Sequence, residues 1–206
     1  MLYDISQTLR HGLPVWPGDT AFRLDRTWSM GAGVPVNVSS LTLSTHSGTH
    51  ADAPFHYEAN GLTSELIDLD AYLGRAQVVD ARGSNGPVKS DHILPQVETG
   101  MTRVLIRTYE KHPREAWDSA FRAVDPGLIY ELAARGVRLI GVDAPSLDPE
   151  TSKSMDAHHA VARHGLAILE GLVLDAVPVG IYELIALPLK IEGADSSPVR
   201  AILRSL

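Results

Sequence analysis

Cysteine is absent from the 206 residues of this sequence. Its absence excludes disulfide bonds and every structural zinc site built from cysteine. Any metal ion must therefore be bound by imidazole and carboxylate groups, which are the usual ligands of hydrolytic centres. Basic residues are also in deficit, because 18 Lys and Arg stand against 25 Asp and Glu, for a formal net charge of −7. This balance argues against nucleic acid as a partner, since phosphate binding needs clustered positive charge.

Long apolar runs are missing as well. The first 19 residues contain no basic start followed by an uninterrupted apolar segment, so they do not resemble a secretory signal. The apolar stretches 166–174 and 177–191 are interrupted by charged residues or prolines, and neither predicts a membrane span. We therefore expect a cytoplasmic protein without a membrane partner.

The composition is that of an ordinary globular protein, 44% hydrophobic and 21% charged. At this length, residues 1–206 are expected to form a single domain with a substantial core. Short alternating runs such as 35–45 predict strands in the N-terminal third, whereas strands and helices alternate later in the chain. The pattern predicts an α/β fold, in which a mixed β-sheet carries helices packed on one side.

Two helices are indicated by the residues at their ends. Asp125 as N-cap and Gly136 just past the end delimit the first. The second is expected to have Ser154 or Asp156 as its N-cap and Gly165 as its stop. Each helix is followed by an apolar segment that predicts a buried strand.

The most unusual feature is the stretch 44–56, "STHSGTHADAPFH", which holds three of the nine histidines. The candidate ligands in it are His46, His50, Asp52 and His56. All four stand at even positions, and even positions share one face of an extended chain. A single histidine in a strand usually packs or faces solvent, but this set among small neighbours favours a metal site.

A straight strand could not bring all of these side chains to one ion. His46 and His50 would lie about 13 Å apart along it, which is too far for two ligands of one metal. A bend at Gly48 would solve this, because glycine adopts unusual φ angles at little cost. We predict that the strand entering at Leu41 breaks at or near Gly48, and that His46 folds back toward His50 and Asp52.

The stretch 46–56 matches His-x-Gly-Thr-His-x-Asp-x-Pro-x-His, the signature of the cyclase-type metal-dependent hydrolase family, which the chain resembles nearly end to end. The segments "YDISQTLRHGLPVWPGDT", "GVDAPSLDP" and "DAHHAVARHGLAILEGL" resemble its bacterial kynurenine formamidase (arylformamidase) branch. The resemblance implies a swivelling β/β/α fold, a homodimer, and hydrolysis of N-formyl-L-kynurenine to L-kynurenine and formate in tryptophan degradation. Relatives that open isatin or another cyclic amide share the signature, so such a hydrolase is one alternative. A metal-binding module without turnover is the other.

Further ligands are expected outside the signature. Glu170 lies in the apolar segment "LAILEGLVL", where a lone buried carboxylate would cost several kcal/mol; a solvent-facing Glu on an edge strand is the alternative. His158 stands in the Asp-x-His arrangement that the family uses for a ligand. These five ligands exceed the usual number for one catalytic zinc, so we expect two ions that share Asp52 and Glu170, with His46 and His50 on one and His158 on the other. The resemblance implies the same arrangement. Zinc is the metal expected for an imidazole-rich set, and manganese is the alternative because of the carboxylates.

His56 is left over, and the resemblance implies that it is the proton donor and acceptor. A metal ion lowers the pKa of water toward about 7, and the departing aniline nitrogen then needs a proton. An imidazole, whose ordinary pKa is about 6.5, suits that role. Trp16 matches the position where the family contacts its substrate, the alternative being a Trp that packs within a hairpin. Phe55 and Tyr57 are weaker candidates for the same pocket.

The other polar residues are expected to have structural or surface roles. Asp143, Ser146 and Asp148 lie in a loop after a strand, where such residues cap turns. His159 and His164 are predicted not to be ligands. His11, His92 and His112 are expected at the surface.

Overall fold

The computed structural model describes residues 1–83 and 85–206. Its strands are β1 (Leu2–Asp4), β2 (Arg23–Trp28), β3 (Val38–Thr42), β4 (His50–Asp52), β5 (Leu73–Asp80), β6 (Arg103–Arg107), β7 (Leu139–Val142), β8 (Ala167–Leu169), β9 (Gly180–Ile185), β10 (Ser196–Pro198) and β11 (Ile202–Ser205). Its α-helices are α1 (Ser90–Ile93), α2 (Pro126–Ala134) and α3 (Asp156–His164). Short 3-10 turns cover Pro54–His56, Ser64–Leu66 and Leu69–Tyr72.

The central element is a seven-stranded sheet in the order β1-β11-β9-β5-β6-β7-β8. The pairs from β1 to β5 are antiparallel, and those from β5 to β8 are parallel. Parallel neighbours need crossover connections, and α2 and α3 lie in the crossovers that lead into β7 and β8. The expected mixed sheet is confirmed.

The core lies on both faces of this sheet. On one face, Ile106 and Ile140 pack in the same cluster as Leu128 of α2 and Val161 of α3. On the other face, side chains such as Leu105 pack with residues of β9 and β11. Each fully buried Leu or Ile contributes about 1.5–3 kcal/mol to folding. Both longer helices therefore cover one side of the sheet, as the sequence predicts.

Helix α2 has the predicted ends. The Asp125 carboxylate accepts a hydrogen bond from the backbone N–H of Gly127 at 2.8 Å, and Gly136 follows the helix with a φ of +86°. The end predicted for α3 is also confirmed, since Gly165 has a φ of +61°. None of the helices in the described part of the chain has the length and apolar character needed to cross a bilayer.

The predicted N-cap of α3 was wrong. The residue before the helix is Met155, with a φ of +51° and no side-chain cap. The Asp148 carboxylate accepts hydrogen bonds from the backbone N–H groups of Ala157 and His158, each at 3.0 Å. A carboxylate from the preceding loop therefore satisfies the free donors at this helix end.

The signature segment turns at Gly48 as predicted, but the strand that precedes it ends earlier than the sequence predicts. Strand β3 ends at Thr42, β4 begins at His50, and Gly48 between them has a φ of +65°. Strand β4 pairs with β10. His50 also exchanges two backbone hydrogen bonds with Glu170, at 3.1 and 3.0 Å. This bridge places the signature beside the end of β8.

Strands β2 and β3 form a separate antiparallel hairpin. Every residue of both strands is exposed. The exposed side chains include Leu24, Trp28, Val38 and Leu41. The hairpin therefore exposes apolar side chains at the surface of the protein.

Gly171 is a sensitive point at the junction of β8 with the signature. A Cβ added there would lie 2.5 Å from the carbonyl oxygen of Gly48, whereas Gly100, which also has a positive φ, has open space around it. We expect Gly100→Ala to cost about 1–2 kcal/mol of unfolding free energy through backbone strain. Gly171→Ala should cost about 1–3 kcal/mol more because the backbones must also separate. Urea unfolding of both variants measures the difference, and equal losses would contradict the close approach.

Candidate metal centre

The five side chains expected to bind metal converge on one place. They are His46 from the bend, His50 and Asp52 from β4, His158 from α3, and Glu170 just after β8. All except His46 are buried, each with no more than 3% of its surface exposed. Residues 46 and 170 are thus brought together by the bend at Gly48 and the bridge between His50 and Glu170.

The two carboxylates lie between the imidazoles. Asp52 Oδ1 is 3.1 Å from His46 Nδ1 and 3.5 Å from His50 Nε2, and its Oδ2 is 3.4 Å from His158 Nε2. Glu170 Oε2 is 3.3 Å from His50 Nε2, and its Oε1 is 3.5 Å from His158 Nε2. Each carboxylate therefore faces His50 with one oxygen and His158 with the other.

Several of these atoms are buried without a hydrogen bond in the described part of the chain. They are both carboxylate oxygens of Asp52 and the Nε2 atom of His158. Leaving such groups without partners is costly. Imidazole and carboxylate atoms in this state fit a divalent metal ion.

Electrostatics favour positive charge at the same place. Burial lowers the pKa of the His46 imidazole, but a hydrogen bond to Asp195 and the contact with Asp52 raise it to about 10. Burial also opposes the protonation of His158, yet its hydrogen bond to Asp148 and its contacts with Asp52 and Glu170 raise its pKa well above the ordinary value. Burial would raise the pKa of the Asp52 carboxyl, but contacts with His158 and His46 hold it well below its usual range. The Asp52 carboxylate is therefore ionised, as metal binding requires.

Two of the imidazoles are oriented by partners on their far side. His50 Nδ1 is 2.9 Å from the carbonyl oxygen of Gly48, and His158 Nδ1 is 2.6 Å from Asp148 Oδ2. A ring nitrogen engaged in this way leaves Nε2 for a metal, which is the usual arrangement around metal-binding histidines. Asp148 therefore does more than cap a turn.

His56 lies at the edge of the cluster, at the end of a 3-10 turn. Its ring centroid is 4.2 Å from that of His46 and 5.7 Å from that of His158. Burial lowers the pKa of its imidazole. Ligand atoms of His46, Asp52 and His56 lie within 4.8 Å of one another, as do those of His50, Asp52 and Glu170. Proximity alone thus allows His56 to act as a ligand or as a proton carrier.

A cavity of about 320 Å³ opens onto the cluster. His46, His50, His56 and Glu170 line it, together with apolar side chains that include Trp16, Trp117, Pro145 and Met155. The rings of Trp16 and Trp117 meet edge to face, with centroids 5.4 Å apart. The cavity therefore combines aromatic walls with a polar floor, which suits a small aryl substrate.

The two weaker pocket candidates are placed differently. Phe55 is 41% exposed. Tyr57 lines a second cavity of about 220 Å³ that also touches Asp52. Its ring packs 5.4 Å from that of His158. Trp117, which the sequence analysis did not select, takes the place beside Trp16.

Comparison with known proteins decides the family. Residues 3–149 match the Cyclase family. The chain belongs to the cyclase family. A kynurenine formamidase from Maricaulis maris (strain MCS10) is 59% identical over 210 residues, which cover 100% of this chain and 98% of that protein.

Solved structures of related proteins share the cyclase fold. The structure of a potential metal-dependent hydrolase with cyclase activity matches with a TM-score of 0.84 and 29% identity, covering 98% of this chain and 96% of that one. Isatin hydrolase A from Ralstonia solanacearum matches with a TM-score of 0.83 and 22% identity, covering 98% and 91% of the two chains. The second likeness concerns the fold alone. The first, together with the cluster, supports a metal cofactor in this cyclase family member.

Other residues singled out from the sequence have the following surroundings. Asp143 is buried and accepts hydrogen bonds from the backbone N–H groups of Thr108 and Tyr109, in keeping with its expected structural role. His159 and His164 are exposed on α3 and lie outside the cluster. The surface position expected for His112 was wrong, because only 6% of this residue is exposed.

Proposed function

We propose that this cyclase family member is a kynurenine formamidase, which hydrolyses N-formyl-L-kynurenine to L-kynurenine and formate in tryptophan degradation. The 59% identity to the Maricaulis maris kynurenine formamidase over the whole chain carries this choice of substrate. The aromatic cavity beside the cluster supports it, because an aryl ring fits against Trp16 and Trp117.

Two other functions are less well supported. A hydrolase of isatin or another cyclic amide would use the same fold, but the isatin hydrolase likeness is at 22% identity. A metal-binding module without turnover would need no open cavity. Here a cavity of about 320 Å³ reaches the cluster and is lined by His56, a spare imidazole.

We propose that the cluster binds two zinc ions, with manganese as the alternative metal. His46 and His50 would bind one ion and His158 the other, while Asp52 and Glu170 bridge the two. The division of carboxylate oxygens supports this, because each carboxylate faces His50 with one oxygen and His158 with the other. Bound ions of this kind supply Lewis acidity and lower the pKa of water.

The side chains around the cluster bind the substrate and transfer the proton. Trp16 contacts the substrate and, with Trp117, holds its ring in the cavity. His56 accepts a proton from the water that attacks the formyl carbon, and gives it to the anilino nitrogen as the C–N bond of the formamide breaks. The lowered pKa that burial gives His56 helps it to release a proton.

We also propose a homodimer in which the β2–β3 hairpin contacts the partner. An isolated two-stranded hairpin is marginally stable in water, and this one exposes several large apolar side chains, which are Leu24, Trp28, Val38 and Leu41. Burial of these groups against a second copy would stabilise it.

We further infer that residues 1–206 act as one domain, since β1 and β11, at the two ends of the chain, pair in the central sheet. The cytoplasmic location stays a prediction from the sequence.

Zinc reconstitution tests the function and the number of ions together. The demetallated protein is titrated with zinc while formate release from N-formyl-L-kynurenine is measured. We expect activity to rise up to two equivalents per chain, then to level off, and to disappear with a chelator. Glu170→Gln should weaken the response, whereas Glu131→Gln, an exposed site on α2, should not. Manganese in place of zinc compares the two metals.

The other outcomes of this titration would contradict the number of ions or favour one of the two alternative functions. A plateau at one equivalent would contradict the pair of ions. Hydrolysis of isatin without release of formate from N-formyl-L-kynurenine would favour the cyclic-amide hydrolase. Zinc binding without turnover of either compound would favour the metal-binding module.

Replacement of His56 separates its two roles. We expect His56→Ala to keep both metal ions and to lose about 100-fold or more in kcat, because the leaving nitrogen loses its proton donor. His159→Ala, at an exposed histidine, is the matched control and should remain fully active. Kinetics and elemental analysis of both variants give the answer. Loss of an ion in His56→Ala would instead make His56 a ligand.

The hairpin contact is tested by the mass in solution. We expect the 22.3 kDa chain to sediment as a dimer. Trp28→Glu should shift it toward a monomer, because a buried unpaired charge is costly. Leu206→Glu changes an exposed apolar residue at the C-terminus and should leave the dimer intact. A monomeric parent protein, or a dimeric Trp28→Glu variant, would reject the proposed contact.

A further inference from the structure

Asp195 is a carboxylate beside the cluster that the sequence analysis did not select. Its Oδ2 lies 3.0 Å from His46 Nε2 and 3.5 Å from His56 Nδ1. Its Oδ1 accepts a hydrogen bond from Thr45 Oγ1 at 2.8 Å. Its backbone carbonyl accepts another from the N–H of Ala53 at 2.9 Å. The carboxylate is therefore held in place at the start of β10.

The contact with His56 leaves one side of that imidazole free. His56 lines the cavity, and its Nδ1 atom is the one near Asp195. A neutral imidazole carries a single N–H, and a carboxylate accepts hydrogen bonds only. Asp195 thus favours the proton on Nδ1, which leaves Nε2 to exchange a proton with a bound molecule.

The Asp195 carboxylate is only partly buried. The side chain is 38% exposed, so its contact with His56 matters for orientation more than for stability. The same oxygen contacts His46, which gives Asp195 a second route of influence that an experiment must separate.

We propose that Asp195 is a positioning residue for His56, which fixes the ring orientation and the Nδ1–H tautomer so that Nε2 faces the reacting groups. The carboxylate that orients the histidine of serine hydrolases acts in a comparable way. The kinetic consequence rests on the proposed function, whereas the tautomer of His56 does not.

Nitrogen NMR of the zinc-loaded protein tests the tautomer directly. Histidine is labelled with ¹⁵N, and the His56 signals are assigned by their absence in His56→Ala. We expect a protonated Nδ1 in the parent protein. In Asp195→Asn the amide offers a donor to the same atom, so Nε2 should carry the proton instead. The same tautomer in both proteins would overturn the proposal.

A double-mutant cycle tests the kinetic consequence. Asp195→Asn should lower kcat by about 10–100-fold with unchanged zinc content, and should change KM by less than about threefold if it acts on the reacting state alone. In a His56→Ala background the same substitution should change kcat by less than about twofold, because the effect passes through His56. Asp91→Asn, at an exposed carboxylate on α1, is the matched control and should leave kcat unchanged.

The outcomes separate this proposal from its alternatives. A full loss of kcat that persists in the His56→Ala background, or a loss of zinc, would show that Asp195 acts through His46, and the proposal would fail. A parent protein that releases no formate would reject the proposed function. In that case the NMR comparison still decides whether Asp195 sets the tautomer of His56.

Discussion

The burial of two carboxylates among imidazoles is the constraint on which this structure depends. Asp52 and Glu170 are each 2% exposed and belong to different parts of the chain. An unpaired ionised carboxylate at such depth costs several kcal/mol. The cost is offset only if positive charge stays beside both groups, and His46, His50 and His158 provide the places for it. The stability of the fold around β4 and β8 therefore depends on the positive charge that the cluster holds.

The sheet explains why these groups meet. Ligands of open α/β sheets bind outside the carboxyl ends of the parallel strands. Glu170 directly follows β8, and Asp148 lies in the loop that follows β7. Strand β4 joins this edge through the bridge between His50 and Glu170. The parallel half of the sheet therefore supplies the rigid support, while the bent signature segment supplies most of the imidazoles.

The fold and the cluster do not by themselves select a substrate. An isatin hydrolase matches this chain with a TM-score of 0.83. The same fold therefore occurs in a hydrolase of a cyclic amide. Selection between amide substrates depends on the cavity walls, because their shape and apolar contacts decide which amide reaches the cluster. Here Trp16 and Trp117 line the cavity together with residues of the cluster.

Short-range features of this protein could be predicted from its sequence. The bend at Gly48 and the ends of α2 follow from steric and hydrogen-bonding preferences within a few residues. The roles of Asp195 and Asp148 could not be found in this way, because these carboxylates contact histidines 149 and 10 residues away. The start of α3 was misplaced for the same reason, because its donors bond to the distant Asp148. By itself the sequence indicated the side chains that gather in the cluster and the local bends, whereas strand pairing, which joins remote segments, decided the partners that orient them.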